Sequence, residues 1–142
     1  MDALIALGGA LLGGFLVLLG DVIRRRVEWK RENVRRLGES STAFAALYNR
    51  MCGELIDARE RGVPVHELPD IRPERYETVT RFFLTPGSEK LREPAVALIR
   101  VYRDMVDAYA EEDRWKAAWE AHFKGIRRFE AAVREALRRG SI

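Results

Sequence analysis

The first apolar run of the chain, residues 3–20, constrains the fold more than any other feature of the sequence. It reads ALIALGGALLGGFLVLLG, contains no charged residue and is soon followed by Arg24, Arg25 and Arg26. A helix needs about 20 apolar residues, each rising roughly 1.5 Å, to cross a hydrocarbon layer about 30 Å thick. The sequence therefore predicts that residues 1–23 form a transmembrane anchor, with Asp21 near the lipid headgroups.

A cleaved signal peptide and a buried core helix are the two alternatives to a membrane span for this run. A signal peptide has a positive N-terminal region and a short apolar stretch, whereas only Met1 and Asp2 precede this long run and the arginines follow it like a stop-transfer signal. A core helix of a small domain has a polar face, and this run has none. Both comparisons favour an uncleaved span.

The orientation of the span follows from the distribution of positive charge on its two sides. Residues 24–36 carry seven arginines and lysines against Glu28 and Glu32, whereas Asp2 is the only charged side chain before the run. The positive-inside rule predicts a single-pass protein of the cell membrane, with its N-terminus outside and residues 24–142 in the cytoplasm. The single cysteine, Cys52, agrees with a reducing compartment.

The cytoplasmic part is predicted to be all-α, an antiparallel bundle of about four helices continuous with the anchor. The first helix is expected to stop at Gly62, the second to run from about Pro73 to Leu84, and the fourth to end before Gly140. A turn near Glu111 would separate the third and fourth helices, and one continuous helix through this point is the alternative. Residues 24–142 are enough for one compact domain.

Two details of this helix pattern concern breaks. Gly38, followed by Glu39 and two serines, marks a weak point at which the first helix is expected to bend or restart. Ser88, after the sequence Thr-Pro-Gly, is expected to cap the third helix.

Apolar residues recur at steps of three and four along each long helix, as in a coiled-coil seam, and these stripes are expected to pack together. On the first helix the stripe starts imperfectly with Val27 and Lys30. The predicted seam residues are Phe44, Tyr48, Met51, Leu98, Tyr102, Met105, Trp115, Trp119, His122, Ile126 and Phe129.

The sequence shows no catalytic, metal-binding or cofactor-binding pattern, so we predict a protein that is not an enzyme and has no cofactor. His66 and His122 both lack the glutamate three residues earlier that a di-iron bundle uses, and no zinc, phosphate-loop or dinucleotide motif occurs. Cys52 is interpreted as a core residue and His122 as a hydrogen-bonded histidine on the seam, with ligand binding or pH sensing as its alternative. Convergence of His122, Cys52 and Tyr102 in one place would favour an enzyme.

Small residues follow each other at steps of four along the predicted span. They form two adjacent tracks on one side of the helix, made of Ala6, Ala10 and Gly14 and of Gly9 and Gly13. Such tracks let two membrane helices approach closely, although glycine is also common in membrane helices in general. We expect this side to mediate self-association or docking on another membrane protein.

The basic residues after the span predict contact with anionic lipid headgroups, in addition to their role in orientation. The residues assigned to this contact are Arg24, Arg25, Arg26, Lys30 and Arg31. The C-terminal helix is also basic, but its aromatic residues lie on the predicted buried stripe, so nucleic acid is not expected as a partner.

Together these features predict a membrane-anchored helical scaffold that assembles with itself or serves as a subunit or adaptor of a membrane complex. The alternative is a small oligomeric pore or channel lined by the spans. The absence of a polar residue between Asp2 and Asp21 argues against the pore, which would have to be gated by dewetting or lined by glycine backbone.

Overall fold

The computed structural model describes the backbone of residues 2–67 and 72–140 and the side chains of residues 19–64, 66–67 and 74–140. Within these residues the chain forms helices and no strand, which confirms the predicted all-α bundle. The long helices are α1 (Asp2–Glu60), α2 (Arg72–Leu84), α3 (Arg92–Asp107) and α4 (Glu112–Gly140). Two short 3-10 helices, Val65–Glu67 and Ser88–Leu91, lie in the connections.

The end of α1 agrees with the predicted stop at Gly62. Gly62 has a φ of 69°, its N–H donates to the Arg59 carbonyl at 3.0 Å, and the Val63 N–H donates to the Ala58 carbonyl at 2.9 Å. This left-handed pattern satisfies carbonyls at the end of the helix, and glycine adopts it at no steric cost. The chain reverses here and can bring α2 back along α1.

The predicted restart of the helix at Gly38 is wrong, because α1 continues through this position without interruption. The Thr42 hydroxyl donates to the Gly38 carbonyl at 2.9 Å. This is a side-chain hydrogen bond within the continuous helix and does not cap the N-terminus of a new helix. Glycine inside a helix costs about 1 kcal/mol relative to alanine. Leu37 and Phe44, buried on either side of this point, gain more than that by packing in the bundle.

The predicted cap at Ser88 is also wrong. α3 begins at Arg92, after the 3-10 turn, and its first residues receive no side-chain cap. Ser88 is buried and its hydroxyl donates to the Phe83 carbonyl at 3.1 Å, so it satisfies the end of α2 instead. The predicted turn near Glu111 is confirmed, since α3 ends at Asp107 and α4 begins at Glu112.

Pairs of contacts along the helices establish their directions. On α1 and α4, the Cβ position of Gly38 lies 3.8 Å from Leu137, whereas Arg59 contacts Glu112, so these helices are antiparallel. Phe44 stacks on Phe82 and Arg50 pairs with Glu74, which makes α2 antiparallel to α1 as well. Glu93 of α3 pairs with Arg128 of α4, and Leu98, further along α3, faces Gly125, which is earlier in α4, so these two helices are also antiparallel. The arrangement is an up-down-up-down bundle.

The core of the bundle runs along the stripes that the heptad-like spacing indicates. Eight of the eleven predicted seam residues are buried, namely Phe44, Tyr48, Met51, Leu98, Met105, Trp115, His122 and Phe129. Tyr102, Trp119 and Ile126 are partly buried and pack against them. Val27 and Lys30 are exposed, so the stripe on α1 was predicted to begin too early: α4 ends at Gly140, beside Val34, and leaves the preceding turns without a partner helix.

Candidate functional site

The part of α1 that precedes the bundle exposes large apolar side chains in a compact cluster. Leu19, Val22 and Ile23 are 46%, 65% and 56% exposed, and Val27 is 42% exposed. Trp29 follows them and is 66% exposed. An exposed apolar cluster of this kind on a highly charged protein marks a surface that contacts another apolar phase or partner.

The basic residues assigned to lipid headgroups lie on the same segment and are all exposed. Two are held in ion pairs along the helix, Arg24 with Glu28 at 2.9 Å and Arg25 with Asp21 at 3.0 Å. Exposed pairs contribute about 0–1 kcal/mol, so these arginines can exchange a carboxylate for another anion at little cost. A little further along, the guanidinium groups of Arg35 and Arg36 hold the pKa of Glu32 at about 2.

The predicted span itself falls mainly outside the described side chains. Residues 2–18 are helical as part of α1, but the side chains of the small-residue tracks, Ala6, Gly9, Ala10, Gly13 and Gly14, are not among those described. In the described part of the chain, no helical stretch combines the length and the apolar character needed to cross a membrane.

A polar cluster lies inside the bundle, at the level where α1, α3 and α4 meet. The Tyr48 hydroxyl lies 3.1 Å from Nδ1 of His122, and the imidazole stacks against the rings of both Tyr48 and Trp119, with ring centroids 5.5 and 5.3 Å away. Cys52, one turn along α1 from Tyr48, is 1% exposed, and Tyr102 packs partly buried against the same core. His122, Cys52 and Tyr102, whose convergence would favour an enzyme, thus all belong to the core or pack against it, but among the described side chains no hydrogen bond or ring contact joins these three to one another.

The ionisation of this cluster shows what it can do chemically. Burial raises the pKa of the Cys52 thiol to about 11, and burial lowers the pKa of His122. Burial also raises the pKa of Tyr48. At neutral pH the cluster therefore holds a thiol and a neutral imidazole, whereas a cysteine nucleophile needs the thiolate. The geometry is that of a hydrogen-bonded core histidine.

Replacing His122 by asparagine should flatten the pH dependence of stability below about pH 6.5. Burial lowers the pKa of folded His122 below its ordinary 6.5, so below that pH the unfolded chain binds the proton first. The free energy of unfolding therefore decreases as the pH is lowered, by at most about 1.4 kcal/mol per pH unit. Denaturant titrations of both proteins at several pH values measure this slope.

The matched control is His66→Asn, because His66 is 81% exposed on the connection after α1. This variant should keep the slope of the native chain. Equal slopes in the native chain and in His122→Asn would contradict the assignment of a buried neutral imidazole. The amide of asparagine can still hydrogen-bond to the Tyr48 hydroxyl at the place of Nδ1, which limits other effects of the change.

The end of the bundle far from the span is held by a contact that the sequence pattern did not indicate. Nε of Arg59 donates to the Tyr109 carbonyl at 3.0 Å, its terminal nitrogen lies 2.6 Å from Glu112, and its guanidinium lies 4.6 Å from the centre of the Trp115 ring. The Tyr109 hydroxyl donates to the Val63 carbonyl at 2.6 Å. These contacts fasten the α1 end to the turn between α3 and α4.

A cavity of about 290 Å³ lies at the opposite end, next to the exposed segment of α1. Its polar lining comes from three separate elements: Trp29, Lys30 and Asn33 of α1, Lys90 of the 3-10 helix Ser88–Leu91, and Arg139 of α4. Of these residues only Lys30 is among those predicted from the sequence to contact lipid headgroups. Lys90 and Arg139 are distant in sequence, and only the folding of the bundle places them beside α1.

Among the side chains of residues 19–64, 66–67 and 74–140, no three histidine, cysteine, aspartate or glutamate groups lie together so that they would hold a metal ion. None of the family models, curated proteins or solved structures compared with this chain matches it.

Proposed function

We propose that this chain is a single-pass membrane protein whose cytoplasmic bundle is a non-catalytic scaffold that assembles with itself or with another membrane protein. The observation that carries the proposal is α1, a single helix over Asp2–Glu60 whose second half supplies the core of the bundle. Because no linker interrupts the helix, the apolar run 3–20 and the bundle are joined stiffly. Any displacement or pairing of the span is passed directly to the bundle.

The pattern around the end of the apolar run supports insertion in a bilayer. Leu19, Val22 and Ile23 remain exposed in the folded chain, and burial in lipid would remove them from water. Arginines follow immediately, and Trp29 comes after them, which is the order of apolar core, basic flank and aromatic residue that is common at membrane interfaces.

Assembly through the small-residue tracks is tested with the full-length chain and one matched pair of variants. The Gly9→Leu/Gly13→Leu double variant blocks close approach on the track side, and Gly8→Leu places leucine on the opposite side of the helix, at about 100° per residue. We expect native mass spectrometry in detergent to show a discrete oligomer for the native chain and for Gly8→Leu, and smaller species for the double variant.

The same samples, placed in liposomes and washed at alkaline pH, test the anchor separately. Retention of all variants with the liposomes is expected, and release of the native chain would contradict the membrane proposal. Monomers for the native chain would contradict self-association and leave an adaptor that needs a different partner. Ion flux through these liposomes would favour the pore instead of the scaffold.

A further inference from the structure

We propose that the cavity between α1, Lys90 and Arg139 binds a phosphate group, carried by a headgroup of the bilayer in which the chain is anchored. Its lining contains Lys30, Lys90 and Arg139 and no acidic residue. Asn33 and Trp29 add neutral donors, an amide and an indole N–H. Three cations from separate elements around one small cavity form a site for a multiply charged anion.

The two lysines are available to a ligand. Neither Lys30 nor Lys90 forms an ion pair with any residue that the structure describes, so no described carboxylate competes with an anion for these two ammonium groups. Arg139 contacts Glu135 through Nε at 2.5 Å, and Glu135 is shared with Arg138. Two uncompensated ammonium groups close to a guanidinium repel each other, and an anion between them removes this repulsion.

The cavity lies at a height where a headgroup can reach it. Trp29 and Asn33 follow Ile23, the end of the predicted span, by roughly 9 and 15 Å along a helix rising about 1.5 Å per residue. The headgroup layer of one leaflet extends about 5–8 Å beyond the hydrocarbon. The Trp29 side of the cavity therefore lies about 1–4 Å beyond this layer, and the flexible side chain of Lys30 can bridge that distance to a phosphate at the outer edge of the headgroups. This placement rests on the proposed anchor, whereas the phosphate chemistry of the cavity does not.

Calorimetric titration of the full-length protein in a zwitterionic detergent tests the site. The probes are dihexanoyl phosphatidic acid, dihexanoyl phosphatidylcholine and inorganic phosphate. We expect saturable binding of the phosphatidic acid and none of the phosphatidylcholine. Lys90→Gln should weaken the binding about tenfold, because one charged hydrogen-bond donor is lost. The matched control is Lys124→Gln, which removes an exposed lysine of α4 outside the cavity lining and should change nothing.

Each outcome decides between the sources of the phosphate or rejects the site. Inorganic phosphate bound as tightly as the lipid, with the same loss in Lys90→Gln, would assign the cavity to a soluble phosphate compound. Equal binding by Lys90→Gln and Lys124→Gln, or no saturable binding by the native chain, would overturn the proposal. Since the titration is done in detergent with short-chain probes, its result is independent of whether the liposome test supports the anchor.

Discussion

Phe44→Ala is expected to lower the free energy of unfolding by about 3–5 kcal/mol, the largest effect of any single change discussed for this protein. Phe44 is 2% exposed and lies at the meeting point of three helices. Its ring stacks on Phe82 of α2, with centroids 4.8 Å apart, and contacts Phe129 of α4 at 5.2 Å. Truncation removes both ring contacts and leaves a cavity that three separately anchored helices cannot close.

Denaturant titration in a mild detergent, followed by circular dichroism, measures this loss. The matched control is Tyr76→Ala on α2, because the Tyr76 ring is 75% exposed, and a surface change of this kind stays within about 0.5 kcal/mol. Equal effects of the two variants would mean that the Phe44–Phe82–Phe129 contact is not the centre of the core.

Gly125→Val is expected to destabilise the bundle by about 1–3 kcal/mol. The Cβ of any larger residue at 125 would lie 2.9 Å from Cδ2 of Leu98, closer than Cβ contacts in folded proteins. Leu98 is 1% exposed and is surrounded by the core, so it has little room to move away. The missing side chain at 125 is what allows α3 and α4 to approach this closely.

Gly53→Val is the control, since it lies inside α1 with no other atom within 4 Å of its Cβ position. Valine and glycine differ by a few tenths of a kcal/mol in helix propensity, so this change should be nearly neutral. The double variant Gly125→Val/Leu98→Ala gives a second check. Its total cost should be smaller than the sum of the single changes, because the shortened side chain makes room for the valine. Strict additivity would show that Leu98 is not the residue that valine displaces.

The helix stops that were predicted correctly depend on local chemistry. Gly62 ends α1 in a left-handed conformation that few other residues adopt, and no neighbouring helix is needed to explain it. The stripe residues of α3 and α4 were likewise predicted from spacing alone, because a helix of period 3.6 places them on one face. The predictions for Gly38 and Ser88 were wrong because the structure at these positions depends on tertiary contacts and not on local chemistry. Each carries a local break or cap signal, and each is overruled by packing or by a bond to another element.

The sequence alone determined the helical periodicity, the end of α1 at Gly62 and the basic residues that follow the apolar run, because each depends on neighbours within a few positions. Only the tertiary structure decided which residues of different helices lie next to each other. His122 meets Tyr48, Arg59 meets Glu112, and Lys90 comes beside Lys30 only once the bundle has closed. These pairs are distant along the chain, and no periodic signal encodes them. Their proximity follows from the antiparallel packing of the apolar stripes, which fixes the level at which each helix faces the next.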